Sequence, residues 1–218
     1  MASIQGQVAP TYTADGALQT VRISRDGALT SQDAHAQYQE AALRGNLWSL
    51  ANATAGVTVT GLNTIAQITG SQPVLAISNP AGSGKALVVS FIEHMWSSGT
   101  AAAGGLALGV LTGANVTAIT AASTNTAVNT YTGNVGGSVA KTYAGATALA
   151  GQLTAATLVR YAGGPTTGAL SANQQCYFQL ATIGAVCVYP GNLLGLWASG
   201  AGTSPIVNAS WVWEEVAL

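Results

Sequence analysis

The sequence predicts an all-β protein, an antiparallel β-sandwich preceded by an N-terminal arm. Three observations predict it. Most of the chain reads as short segments rich in β-branched and aromatic residues. Gly-, Thr- and Pro-rich stretches punctuate those segments at intervals too short for helices. Charge is nearly absent from the same region: from Ser97 to Trp213 the only charged residues are Lys141 and Arg160.

The arm comes first. Of the charged residues, seven fall within the first 44 positions: Asp15, Arg22, Arg25, Asp26, Asp33, Glu40 and Arg44. This composition step divides the chain into an arm, residues 1–50, and a sandwich domain, residues 51–218. The arm repeats Asp15-Gly16-Ala17-Leu18 as Asp26-Gly27-Ala28-Leu29, and Asp-Gly marks tight turns because both central positions take positive φ. Residues 19–24 are expected to be extended between the turns. Over residues 32–44 a short helix is preferred, capped by Ser31 and lined by Ala34, Tyr38, Ala41 and Ala42, although the same stretch also alternates loosely as a strand would.

The domain follows as a series of strands. Residues 56–62 alternate Val57 and Val59 with Thr58 and Thr60. Residues 74–78 and 86–96 are β-rich and flank a turn, expected to be a hairpin turn, at Asn79-Pro80-Ala81-Gly82-Ser83-Gly84. Strands are then expected at 106–111, 158–162, 176–181, 185–189, 193–198 and 210–216. The interval 113–153 is poor in large apolar residues and reads as a surface loop or a pair of weak strands. In the last strand Trp211, Trp213 and Glu215 share one face, and Val212, Glu214 and Val216 the other.

Composition also excludes functions. Charged residues are 6% of the 218, against about 25% in soluble domains, so a free monomer would have little charge repulsion against association. Self-assembly is therefore expected. A net charge of −1 provides no cationic footprint for nucleic acid. The longest nearly apolar run, 101–111, is too short and Gly-rich for a membrane span, so no membrane partner is expected. Cys176 and Cys187 have no metal-ligand spacing and read as buried thiols.

No catalytic, cofactor or metal site is expected. Gly82-Ser83-Gly84-Lys85 fails as a phosphate loop because Asn79 stands where a Gly is needed and Ala86 where Ser or Thr would reach magnesium. Glu93 and His94 are strand neighbours that face opposite ways, and read as edge or interface polar residues. Glu214 and Glu215 cannot face each other across a cleft as glycosidase carboxylates must. Trp211 and Trp213 have the spacing to stack on a sugar, but core or interface is the preferred role.

Three stretches go further: Ile77-Ser-Asn-Pro-Ala-Gly-Ser-Gly-Lys-Ala-Leu-Val88; the discontinuous set Tyr189-Pro190-Gly191-Asn192-Leu193, Ala201-Gly202-Thr203-Ser204-Pro205 and Trp213-Glu214-Glu215-Val216; and Glu40-Ala-Ala-Leu-Arg-Gly-Asn-Leu-Trp48. Together they resemble a group of small virion-associated structural proteins of tailed bacteriophages. The resemblance implies a jelly-roll-like sandwich, a homotrimer, and attachment to the outside of a capsid or to the tail. The expectation is a capsid decoration or cement protein, assembled into virions in the host cytoplasm, with the major capsid protein and itself as partners. The alternative is a tail-fibre or receptor-binding head domain recognising a host glycan. On the first reading Arg22, Arg25 and Arg44 steer docking, Trp48 supplies an apolar anchor, and Trp211 and Trp213 belong to the interface.

Overall fold

The computed structural model describes residues 38–52, 56–58, 73–100, 106–111, 125–144, 149, 157–163, 176–198 and 203–218. The chain divides into two compact units, Met1–Glu40 and Ala41–Leu218. Of the first unit only residues 38–40 are described, so the turns and extended pieces expected in the arm lie outside the described residues. A short helix, α1 (Gln39–Leu43), occupies part of the stretch expected to be helical.

The second unit is built from eleven described strands, all paired antiparallel. They are β1 (Leu47–Ala51), β2 (Val57–Thr58), β3 (Leu75–Asn79), β4 (Lys85–Thr100), β5 (Leu106–Leu111), β6 (Val128–Asn129), β7 (Lys141–Tyr143), β8 (Thr157–Gly163), β9 (Cys176–Val188), β10 (Asn192–Ala198) and β11 (Thr203–Ala217). One sheet runs β6-β1-β11-β4-β9, with β2 also on β11; the other runs β7-β3-β10-β5-β8. Four of the pairings are nested: β1 with β11, β3 with β10, β4 with β9, and β5 with β8. The first half of the strands therefore meets the second half in reverse order. Within 113–153, read as a surface loop or two weak strands, the described residues hold two short strands, β6 and β7, one at the edge of each sheet.

A single apolar cluster joins the sheets. Leu87, Val89, Ile92, Trp211 and Trp213 enter it from the first sheet, and Leu75, Ile77, Leu194 and Leu196 from the second. The period-2 pattern of β11 holds throughout: Trp211, Trp213 and Glu215 are buried, while Val212, Glu214 and Val216 reach the surface. Burying each Trp removes a large apolar area from water, which is the dominant favourable contribution to folding.

The phase of β4 changes at Ser90. Leu87 and Val89 point inward before Ser90, and Ile92, His94 and Trp96 after it. Ser90 is the extra residue of a bulge, because Trp213 pairs with Val89 and Val212 with Phe91. On the other side, Val186 pairs with Val89 and Ala181 with Phe91, so residues 182–185 of β9 bulge opposite Ser90. Buried Thr182 donates its hydroxyl to the Val89 carbonyl there. The segments 176–181 and 185–189, expected as two strands, are thus one strand interrupted by a bulge.

The turn at residues 79–84 is not a hairpin. It carries the chain from β3 in one sheet to β4 in the other. Buried Asn79 holds this corner: its amide donates to the carbonyls of Lys85 (2.7 Å) and Val188 (2.8 Å), and its oxygen accepts from Ser83 Oγ (2.6 Å). The second crossing, at Pro190-Gly191, is pinned to the first by Gly191 N donating to the Asn79 carbonyl at 2.8 Å.

Three further expectations change. The sheet begins before residue 51, since β1 carries Trp48 and Leu50 into the core. Trp48, Trp211 and Trp213 are at most 7% exposed, so they offer a partner no surface; they fill the sandwiched core instead. Cys187 is an exposed free thiol rather than a buried one, because it alternates outward between buried Val186 and Val188.

Candidate functional site

The two sheets differ in how their far faces are treated. In β3 and β10 consecutive residues are buried: Ala76 and Ser78 alternate with Leu75 and Ile77, and Leu193 and Trp197 with Leu194 and Leu196. The second sheet is therefore covered on both faces at these strands. The first sheet has an open face, formed by Glu93 and Met95 of β4, Tyr177 and Gln179 of β9, and Asn208, Ser210 and Val212 of β11.

That face is not flat. β1 and β2 both pair with β11 along the same edge, at Ser210 to Glu214 and at Ile206 to Val207 respectively. Between them Asn52 carries the pairing with both its backbone and its side chain: its backbone N–H donates to the Ala209 carbonyl at 3.0 Å, and its side chain adds two more bonds. The side-chain amide donates to the Val207 carbonyl (2.9 Å) and the side-chain oxygen accepts from Ala209 N (3.0 Å), as a strand would. Beside Asn52 lies a depression of about 340 Å³, lined by Asn52, His94, Met95, Tyr177, Asn208 and Ser210 with Glu93 at its side.

Glu93 is the organising group. Ser210, Glu93 and Gln179 are directly opposite one another across β11, β4 and β9. Gln179 Nε2 donates to Glu93 Oε1 at 2.9 Å, and Ser210 Oγ donates to Glu93 Oε2 at 3.0 Å. The Tyr177 hydroxyl also bonds this carboxylate, and that bond pushes the phenol's pKa above its ordinary value, with burial and the carboxylate's charge adding in the same direction. The ring of Tyr177 remains 57% exposed. Close by, Ser97 Oγ donates to Asn208 Oδ1 at 2.5 Å.

His94 faces the other way, as expected of a strand neighbour. It is a core residue, however, and not at an edge: it is 1% exposed and stacks on Phe178 with ring centroids 5.1 Å apart and planes 14° apart. The side chains of Glu93 and His94 therefore point to opposite sides of the sheet, although His94 also contributes to the wall of the depression.

A second carboxylate closes the far end of β11. Glu215 is buried, and its Oε2 accepts from Lys85 Nζ (2.8 Å) while Oε1 accepts from Ser138 Oγ (2.6 Å) and Val139 N (2.9 Å). Lys85, the residue that invites a phosphate-loop reading, is thus committed to an ion pair across the sheet.

Of the residues expected at an interface, Arg22 and Arg25 lie outside the described residues, Arg44 is exposed just after α1, and the three tryptophans are in the core. The structure brings the three tryptophans together, Trp48 directly opposite Trp213, but inside the core and not on a surface. Among the described residues no group of three or more His, Cys, Asp or Glu is placed to hold a metal, and no helix is long and apolar enough to cross a membrane. No family model, curated protein or solved structure matches the chain.

Proposed function

We propose that this chain is a non-catalytic structural component of a tailed-phage particle, a capsid decoration or cement protein. It binds the outer shell as a homotrimer and stabilises contacts between major capsid subunits. The observation that carries this reading is the nested pairing of β1 with β11, β3 with β10, β4 with β9 and β5 with β8. Eight strands in two sheets with this order support a jelly-roll-like sandwich, an architecture used by capsid and lectin domains. The sparse charge supports assembly, because neutral surface is covered when copies associate. The charged residues concentrated before residue 45 suit an N-terminal arm that fixes register on the shell.

Quantitative mass spectrometry of purified virions tests the reading. A copy number comparable with that of the major capsid protein is expected, and light scattering of the isolated chain should give three times its mass if the trimer is a closed symmetric assembly. A chain lacking residues 1–37 keeps every described strand and should fail to bind undecorated particles. Equal binding by that shortened chain would remove the arm from the mechanism.

A second reading, a receptor-binding head domain of the tail that recognises a host glycan, is favoured by the open face and depression of the first sheet. A handful of copies per virion would select it over the shell.

A further inference from the structure

We propose that the depression between β1 and β2 binds a single uncharged pyranose ring. This assignment deepens the glycan-recognising reading above and rests on it, but not on the shell reading, since copy number tests the place in the virion and sugar binding by the isolated chain tests this.

Three features converge on the ligand class. The first is size and shape. A depression of about 340 Å³ lies at the lower end of the range for small-molecule sites, and it is open rather than sealed. The second is the pairing of an aromatic face with a fixed polar group. The Tyr177 ring is exposed while its hydroxyl is held by Glu93, so the ring is presented for packing at small entropic expense. Sugars offer an apolar C–H face to such a ring and hydroxyls at its rim.

The third is the state of the carboxylate. Glu93 has roughly four acceptor positions. Gln179 occupies one on Oε1, Ser210 one on Oε2, and the Tyr177 hydroxyl a third. What remains suits one hydroxyl donor in a charge-assisted bond. It does not suit a guanidinium, whose fork wants two acceptor positions together. Among the described residues no Lys or Arg lines the depression, and the Glu93 carboxylate disfavours an anionic ligand such as a uronic acid or a phosphate.

The test is saturation-transfer NMR on the full chain with a panel of neutral methyl pyranosides: the glucoside, galactoside, mannoside and N-acetylglucosaminide. Glucuronate serves as the anionic counterpart and methylguanidinium as the cationic one. At least one neutral glycoside should receive saturation, glucuronate should not, and Tyr177→Ala should weaken the binding about tenfold, the loss of roughly one good contact. Glu93→Gln keeps the shape and should admit glucuronate. Transfer to none of the neutral glycosides, or transfer unchanged by Tyr177→Ala, overturns the assignment. Binding of methylguanidinium alone overturns it too, and would reassign the depression to a basic side chain of a protein partner. Circular dichroism of both variants confirms that any loss is not unfolding.

Discussion

Two glutamates of the first sheet meet the same number of donors and end in opposite situations. Glu215 takes Lys85, Ser138 and the backbone of Val139, and is buried. Glu93 takes Gln179, Ser210 and Tyr177, and stays partly exposed beside a depression. The difference lies in the donors. Glu215 is neutralised by a cation and fastened by the segment leading into β7, so its bonds join parts of the chain that would otherwise separate. Glu93 is held by neutral side chains from its own sheet, so its bonds join strands already paired through their backbones. The first carboxylate is structural, and the second is poised.

The largest effect that can break this comparison is the loss of Glu215. Glu215→Ala leaves the Ser138 hydroxyl and Val139 N–H without their acceptor, and is expected to destabilise the fold by about 1–3 kcal/mol. Urea unfolding of the variant gives the value directly. Lys85→Ala should cost less, on the order of 1 kcal/mol, because the ammonium is 36% exposed and partly screened while its partner keeps two donors. Equal costs for the two would mean that the charge pair, and not the neutral donors, secures that end of β11.

Glu93→Ala should lie within about 0.5 kcal/mol of the parent in the same assay, the usual range for a surface substitution. A cost matching that of Glu215→Ala would make Glu93 a structural residue and erase the distinction.

The smallest effect sharpens it. Tyr177 and Tyr143 both have phenols whose pKa is raised in the folded state, Tyr177 first by its bond to Glu93 and Tyr143 first by burial. A raised folded value means that the folded chain holds its phenolic protons longer than the unfolded chain. The associated stability is complete below the unfolded phenol value of about 10 and is lost as pH rises through the folded values. Stability should therefore be level through neutral pH and fall on the alkaline side. Glu93→Gln should bring one exposed phenol back toward its ordinary titration, read from phenolate absorbance, and leave the buried one where it was.

Much of the architecture was legible because it is local. Alternation in β11 separated Trp211 and Trp213 from Val212 before any partner was known, β-branched and aromatic residues located β3 and β4, and short apolar runs between Gly- and Thr-rich stretches located β5 and β10. What was not legible depends on distant pairing. The turn chemistry of residues 79–84 says that the chain reverses, but not which sheet the next strand joins, so a crossing between sheets reads as a hairpin. Residues 176–181 and 185–189 read as two strands, yet Ile183 and Gly184, at φ 46° and 76°, carry a bulge that the pairing with β4 spans. The charge step near residue 50 placed Trp48 in an arm, whereas its partner Trp213 draws it into the sheet. The cluster at Glu93 escaped for the same reason: Tyr177, Gln179 and Ser210 come from two other strands, and Asn52 gives no sign in sequence of bonding β11 with its side chain.

The nested pairing has a consequence for how the chain is made. A ribosome releases β1 long before β11, so Trp48 and Leu50 emerge with no strand to receive them. β3 and β4 likewise wait for β10 and β9. Of the four nested pairs, β5 with β8 spans the shortest stretch of chain, although β6 and β7 lie between them. Assembly is therefore expected to start from that inner pair and proceed outward, on the millisecond-to-second scale of folds dominated by distant contacts. Until the last strand appears, the first half of the domain is a set of sticky, nearly uncharged segments. In a crowded cell making many copies at once, that interval is when neighbouring nascent chains are most exposed to one another.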